Sequence, residues 1–243
     1  MRVVIQDNYE KMSLWAANYI AKKIRDHKEN RPFVLGLPTG SSPIGVYREL
    51  IRMNKSGELS FRNVVTFNMD EYLGLPHDND QSYWYFMHEN LFDHIEIPAE
   101  NINILNGMTD DPEEECASYE ERIASYGGID LFIGGIGVDG HLAFNEPFTS
   151  LSSRTGVRVL TTDTRIVNAR FFGNDPEKVP AKALSVGIGT VTDSKEVLVL
   201  ISGHNKARAL AATVEGGVSQ KWTCSALQLH NGAIIACDEA ACG

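Results

Sequence analysis

Short apolar runs alternate along this chain with longer segments in which apolar residues recur at helical spacing. Runs such as 33–37 and 197–201 are apolar on both faces, which is typical of strands in a parallel sheet covered by helices. In 8–27 and 44–53 the apolar residues recur with the period of an amphipathic helix. This alternation predicts an α/β protein that folds as a single domain over 1–243.

The remaining elements follow the same two patterns. We predict further strands for 3–5, 63–68, 102–105, 129–133, 157–160 and 233–236, and further helices for 81–92, 110–126, 163–172 and 202–212. The segment 149–182 is longer and more polar than an ordinary connection, and it is expected to cross above the carboxyl ends of the strands. We therefore interpret part of 149–182 as an active-site lid.

The loop between the strand 33–37 and the helix 44–53 carries Gly40, Ser41 and Ser42. A Gly/Ser loop at a helix start offers free backbone N–H groups and hydroxyl donors, and the helix dipole favours an anion there. The spacing matches neither a Walker motif nor a dinucleotide fingerprint. The loop is therefore either a phosphate cradle or an ordinary helix start that is capped by Ser42.

Candidate acid and base residues follow two predicted strands. They are Asp70 and Glu71 after 63–68, and Asp139, His141 and Glu146 in the glycine-rich loop after 129–133. Ligands of open α/β sheets bind at the carboxyl ends of the strands, so we expect these residues and the Gly/Ser loop at one cleft. Carboxylates beside an imidazole are the groups of a proton-transfer site. For Glu71 we favour a different role, as a helix cap or in a loop salt bridge.

Lys206 is expected beyond the end of the strand 197–201, in the first turn of the following helix. A lysine opposes the helix dipole at that position unless an anion joins it, which points to a phosphate partner. The alternative is a solvent-exposed lysine. The sequence thus combines an anion-binding site, formed by the Gly/Ser loop and Lys206, with acid and base groups, and it shows no nucleophile elbow or metal cluster. This combination indicates proton abstraction next to a carbonyl on a phosphorylated metabolite.

Composition argues against nucleic acid and membrane as partners. The formal net charge of −10 argues against non-specific binding to nucleic acid or to an anionic membrane. No apolar stretch approaches the roughly 20 residues of a membrane span, and the N-terminus lacks signal-peptide organisation, so we expect a cytoplasmic protein. The 4 cysteines show no paired metal spacing, and we expect no metal site.

Four stretches carry a resemblance to a known family. They are 35–43 (LGLPTGSSP), 66–72 (TFNMDEY), 134–147 (GGIGVDGHLAFNEP) and 153–155 (SRT). Together they closely resemble the glucosamine-6-phosphate deaminase family, which is also called the glucosamine-6-phosphate isomerase family. The stretch 134–147 is highly specific, whereas 35–43 alone is not, and the resemblance runs from near the N-terminus to about Glu239.

The resemblance implies a Rossmann-like, doubly wound, mostly parallel α/β sheet with helices on both faces, and no cofactor or metal. It implies an enzyme of amino-sugar catabolism, including N-acetylglucosamine degradation, that converts glucosamine 6-phosphate and water to fructose 6-phosphate and ammonia. Asp70 would move the C2 proton to C1, and His141 would open the sugar ring, oriented by Asp139 and Glu146. The substrate phosphate would bind to Gly40, Ser41, Ser42, Arg170 and Lys206.

Two alternatives to the deaminase remain at this point. A hydrolase that resembles 6-phosphogluconolactonase would keep the anion-binding site and act on a lactone, and a non-catalytic sugar-phosphate sensor would bind its ligand without turnover. The contexts of 70–72 and 145–147 favour the deaminase over the lactonase. The intact acid/base set argues against the sensor.

Two departures from the family concern regulation. Longer members are hexamers that N-acetylglucosamine 6-phosphate activates, and Gly156 stands where they typically carry a basic residue, although Arg158 remains. This chain also stops at Gly243, where longer members continue with a helical tail. We therefore do not expect activation by that ligand. The pattern leaves the oligomeric state open, with a homo-oligomer among the candidates.

Overall fold

The computed structural model describes all 243 residues of the chain, and ten strands form its two sheets. The strands are β1 (Arg2–Gln6), β2 (Phe33–Leu37), β3 (Val64–Asn68), β4 (Asp70–Tyr72), β5 (Ile102–Asn103), β6 (Leu131–Gly135), β7 (Gly156–Val159), β8 (Lys182–Ser185), β9 (Glu196–Ile201) and β10 (Ala233–Asp238). Seven of them form a sheet in the order β1-β10-β9-β6-β2-β3-β5, and every neighbouring pair is parallel. The predicted fold class is confirmed.

Seven α-helices flank the sheets. They are α1 (Tyr9–Asp26), α2 (Ile44–Lys55), α3 (Tyr83–Asn90), α4 (Pro112–Ser125), α5 (Thr162–Asn168), α6 (Ile188–Thr192) and α7 (Ala207–Val214). Helices α1, α2 and α3 bury one apolar cluster on one face of the large sheet, and α4, α6 and α7 bury a second cluster on the other. Both faces are therefore covered, which explains why strands such as β2 are apolar on both faces.

Local sequence signals set several helix starts. Asn8 caps α1 by accepting a hydrogen bond from the Lys11 backbone N–H, and Asp111 caps α4 by accepting from Glu114. Pro112 occupies the first turn of α4, where its missing N–H costs nothing. No helix in the fold combines the length and apolar character that a membrane crossing requires.

The direction of strand addition reverses between β2 and β6. From β2 the chain adds β3 and β5 on one side, and from β6 it adds β9 and β10 on the other. Gly36 of β2 lies beneath the ring of Phe132 on β6, where a Cβ atom would overlap the ring at 2.6 Å, so glycine leaves room for this packing. A crevice opens at the carboxyl ends of strands at such a reversal, and this crevice holds the candidate site.

The second sheet is small and antiparallel, in the order β4-β8-β7, and the sequence pattern did not predict it. In this sheet Asp70 pairs with Ser185 of β8. A second difference concerns β6, which runs from Leu131 to Gly135 and thus lies two residues beyond the predicted 129–133. Its pairing with β9 extends through Gly135, because ladder hydrogen bonds do not require a side chain.

Candidate active site

The loop that leaves β2 has free hydrogen-bond donors. The backbone N–H groups of Gly40, Ser41 and Ser42 donate to no acceptor within the protein. Gly40 has a φ of +89°, a conformation that suits glycine and turns the chain back toward α2. The cap residue of α2 is Pro43, with no side-chain cap, so the alternative prediction of Ser42 as the cap is wrong. These donors are available to an anion at the start of α2.

Two cations line the same cavity as this loop. Lys206 ends a 3-10 turn between β9 and α7, and its Nζ donates to the carbonyl of Ile136 at 2.6 Å. Burial lowers the pKa of Lys206, Asp139 opposes that effect, and Arg170 lowers the pKa further. Arg170 lies in a 3-10 turn that follows α5. Because the two cations repel each other, a bound anion would stabilise both.

Asp70 is a buried carboxylate that opens onto this cavity. Asp70 is only 6 % exposed, and its side chain makes no hydrogen bond or ion pair within the protein. Burial raises the pKa of Asp70 well above its usual value, and the neighbouring Glu71 carboxylate raises it further. A desolvated carboxylate of this kind is a stronger base than one in water.

Glu71 points away from the cavity and binds backbone. Its carboxylate accepts hydrogen bonds from the N–H groups of Tyr72, Tyr83 and Trp84, and the last two belong to the first turn of α3. Burial raises the pKa of Glu71 to about 6, although these three N–H groups oppose the shift. The prediction that Glu71 serves as a helix cap is confirmed.

His141 lies beside Asp139 in the glycine-rich loop after β6. Its Nδ1 is 2.7 Å from Oδ1 of Asp139, but the carboxylate is out of line with the ring N–H, so the contact is electrostatic. Burial raises the pKa of Asp139, but His141 more than offsets this effect, and the pKa lies below its usual value. Gly137 leaves room for this pair, because a Cβ atom there would overlap both side chains and displace them.

Glu146 lies behind the imidazole rather than in the cavity wall. Its Oε2 is 3.9 Å from Nδ1 of His141, and its Oε1 accepts hydrogen bonds from the hydroxyls of Thr161 and Thr164 at the start of α5. Ala143, which lies between His141 and Glu146 in the chain, adopts a φ of +53°, which is uncommon for a residue other than glycine. Such strained backbone concentrates at functional sites.

One cavity of about 440 Å³ collects the predicted residues. Eight of them line it, namely Gly40, Ser41, Ser42, Asp70, Asp139, His141, Arg170 and Lys206, and Glu146 is the exception. Its aromatic wall has no signal in the sequence, because helical periodicity does not distinguish a ring facing a cavity from one facing the core. Tyr83 stacks against Phe144 and is within 4.9 Å of Tyr72, measured between ring centres.

The segment 149–182, predicted to contain a lid, supplies one side of this cavity. It contains β7 and α5, and the lining residues include Asn168 and Phe172. The ring of Phe172 packs edge-on against Tyr72, which anchors the segment to the aromatic wall. Its movement as a lid stays a prediction.

Two groups of side chains are close enough to share a metal ion. They are Asp139, His141 and Glu146, and His27, Glu29 and Asp130. In the second group Asp130 already binds Arg31 and Lys195. In the first group Glu146 accepts two hydroxyl hydrogen bonds. We therefore assign both groups to hydrogen bonding and ion pairing.

The sequence of this chain is similar to those of known proteins. A family model described as glucosamine-6-phosphate isomerases/6-phosphogluconolactonase matches residues 7–236. Glucosamine-6-phosphate deaminase from Parabacteroides distasonis is 62% identical over 244 residues, covering 100% of this chain and 90% of that protein. The same enzyme from Bacteroides thetaiotaomicron is 60% identical over 243 residues, covering 99% and 90%.

Solved structures agree with this comparison. A structure described as a monomeric glucosamine-6-phosphate deaminase, missing link of the NagB superfamily, is 42% identical with a TM-score of 0.96, covering 100% of this chain and 99% of that one. The 6-phosphogluconolactonase of Thermotoga maritima is 19% identical with a TM-score of 0.74, covering 98% and 99%. The second likeness shows the fold alone.

Replacing Glu71 by Gln should lower the pKa of Asp70, because it removes the like charge that opposes ionisation of Asp70. Carboxyl titration by NMR in wild type and variant measures the shift. Glu120→Gln is the matched control, since it neutralises a carboxylate that lies on α4 and binds Thr155 and Thr190 instead. An unchanged pKa of Asp70 in Glu71→Gln would contradict the electrostatic link between the two acids.

Proposed function

Because this chain belongs to the family of glucosamine-6-phosphate isomerases and 6-phosphogluconolactonases, we propose that it is a glucosamine-6-phosphate deaminase. It converts glucosamine 6-phosphate and water to fructose 6-phosphate and ammonia. One observation carries this proposal: an unpaired, desolvated carboxylate, Asp70, opens onto the same cavity as an anion-binding loop. The lactonase alternative has weaker support, because the Thermotoga maritima lactonase is 19% identical to this chain, whereas the two deaminases named above are 62% and 60% identical.

The phosphate group anchors the substrate at the edge of the cavity. The free N–H groups of 40–42 and the cations of Arg170 and Lys206 all lie along the cavity that would receive it. Charge-assisted hydrogen bonds from such donors are about twice as strong as neutral ones. The binding free energy of this remote group then holds C2 against the base.

His141 opens the pyranose ring before isomerisation. The imidazole moves the proton of the anomeric hydroxyl to the ring oxygen, which breaks the C1–O5 bond and leaves an aldehyde at C1. Asp139, 2.7 Å from Nδ1, stabilises the positive charge that the imidazole carries during this transfer. Glu146 adds a second negative charge 3.9 Å from the same nitrogen.

Asp70 then performs the isomerisation. Its carboxylate removes the proton from C2, and the carbonyl oxygen at C1 takes a proton from the substrate's ammonium group, which gives an enolamine. Asp70 returns its proton to C1, leaving a carbon–nitrogen double bond at C2. Water hydrolyses this imine to the ketone of fructose 6-phosphate and releases ammonia. The raised pKa of Asp70 makes it a stronger base, and the base form is populated only above that pKa.

We place the enzyme in the cytoplasm and in the degradation of amino sugars, including N-acetylglucosamine. N-acetylglucosamine 6-phosphate, the activator of longer family members, should have no effect. In support, Arg154 pairs with Glu120 and Asp193, and Arg158 donates to Asn145, so these cations already have partners.

Product analysis tests the proposal as a whole. Incubation with glucosamine 6-phosphate should release ammonia and fructose 6-phosphate in equal amounts, with or without N-acetylglucosamine 6-phosphate. Hydrolysis of 6-phosphogluconolactone without ammonia release would establish the lactonase instead. Ligand binding without any product from either substrate would establish a sensor.

Replacing Asp70 by Asn should reduce kcat by roughly 10²- to 10⁴-fold, the usual contribution of a general base, while substrate still binds. Steady-state rates and calorimetric binding of glucosamine 6-phosphate measure the two effects. Asp80→Asn is the matched control, because Asp80 is an exposed carboxyl group at the same cavity. Turnover near the wild-type rate in Asp70→Asn would show that another group is the base.

Replacing Lys206 by Ala should raise KM by roughly 10- to 100-fold, as expected for the loss of a hydrogen bond to a charged group, with a smaller effect on kcat. Lys28→Ala, which removes an exposed lysine at the other end of the sheet, controls for the change in net charge. An unchanged KM in Lys206→Ala would leave Lys206 without a role in phosphate binding.

A further inference from the structure

A tyrosine outside the cavity forms hydrogen bonds with the phosphate-binding loop 38–43 and with the start of α2. Tyr9 is the first residue of α1 and does not line the cavity. Its hydroxyl oxygen accepts a hydrogen bond from the Gly45 backbone N–H at 2.8 Å. The same hydroxyl donates toward the Ser41 carbonyl at 3.0 Å and the Ser42 carbonyl at 3.3 Å. One phenol group thus joins both ends of the turn into α2.

These bonds determine which way the loop peptides face. In a trans peptide the C=O and N–H groups point to opposite sides, and the structure has no cis peptide bond. The Ser41 carbonyl is held on the Tyr9 side, so the N–H of Ser42, which shares its peptide plane, points the opposite way. That N–H is one of the free donors described above. Tyr9 therefore keeps a carbonyl oxygen away from the anion and a donor available to it.

Helix α2 needs this support because it lacks a capping side chain. Its cap position is Pro43, which has neither an N–H nor a side-chain acceptor. The Tyr9 hydroxyl supplies the missing acceptor from another helix. The two helices can approach because residue 45 is glycine: a Cβ atom there would overlap the Ser13 hydroxyl and lie 3.1 Å from the Tyr9 ring.

We propose that the hydroxyl of Tyr9 positions the loop 38–43 for binding the substrate phosphate. It acts through its hydrogen bonds to the loop and does not touch the ligand. The proposal rests on the proposed function, in which this loop binds the phosphate. Fixing the loop in advance removes an ordering cost at the moment of binding. Its contribution is the same for the substrate and the transition state, because the phosphate does not change during the reaction.

Tyr9→Phe tests the proposal, because it deletes one oxygen atom and keeps the ring. Two quantities should change together by about 3- to 10-fold, the range for one net hydrogen bond: KM for glucosamine 6-phosphate and the dissociation constant of inorganic phosphate measured by calorimetry. The kcat value should stay the same. Tyr19→Phe is the matched control, since it deletes a hydroxyl from the same helix that bonds Glu196 rather than the loop.

The outcomes separate this inference from the proposed function. Weaker phosphate binding in Tyr9→Phe, with no change in Tyr19→Phe, supports the positioning role even if glucosamine 6-phosphate is not a substrate. Unchanged phosphate binding and KM, with a loss of thermal stability alone, would reduce Tyr9 to a packing residue and overturn the inference. A fall in kcat at unchanged KM would overturn it too, because a distant phosphate anchor does not act that way.

Discussion

An ionisable carboxylate kept away from water is the constraint on which this site depends. Asp70 is almost fully buried and unpaired, which is unfavourable for the folded protein unless the surrounding structure holds it there. The backbone of Asp70 is fixed by pairing with Ser185, and the next residue, Glu71, is fixed by the first turn of α3. The cost of burying Asp70 appears as a raised pKa, which is the property that proton abstraction from carbon requires.

The site also depends on the groups that would bind the substrate phosphate, which are the free N–H groups of 40–42 and the cations of Arg170 and Lys206. These groups lie at the reversal between β2 and β6, where the strand ends, the start of α2 and both cations line one cavity. Binding free energy collected at the phosphate is thereby available to position the carbon atoms near Asp70. Tyr9 extends the arrangement beyond the cavity, because it supports the loop from the neighbouring helix.

The sequence predicted the elements whose pattern is local and missed those set by pairing. Strands β2 and β9 lie where predicted, within one residue, and Glu71 caps α3, which is one of the two roles predicted for it. In contrast, β4 is three residues long and exists because it pairs with β8, a partner more than 100 residues away. The orientations of Tyr83 and Tyr9 had no sequence signal, since an aromatic residue on a helix gives the same pattern whether it faces core, cavity or loop.

The most direct test of a desolvated Asp70 as the base is the fate of the C2 hydrogen. Glucosamine 6-phosphate labelled with deuterium at C2 would be converted in ordinary water, and the fructose 6-phosphate analysed by NMR at C1. Since a buried carboxyl group exchanges with water slowly, a substantial part of the deuterium should appear at C1. Complete loss of the label to water would contradict a shielded base that returns the same proton to C1.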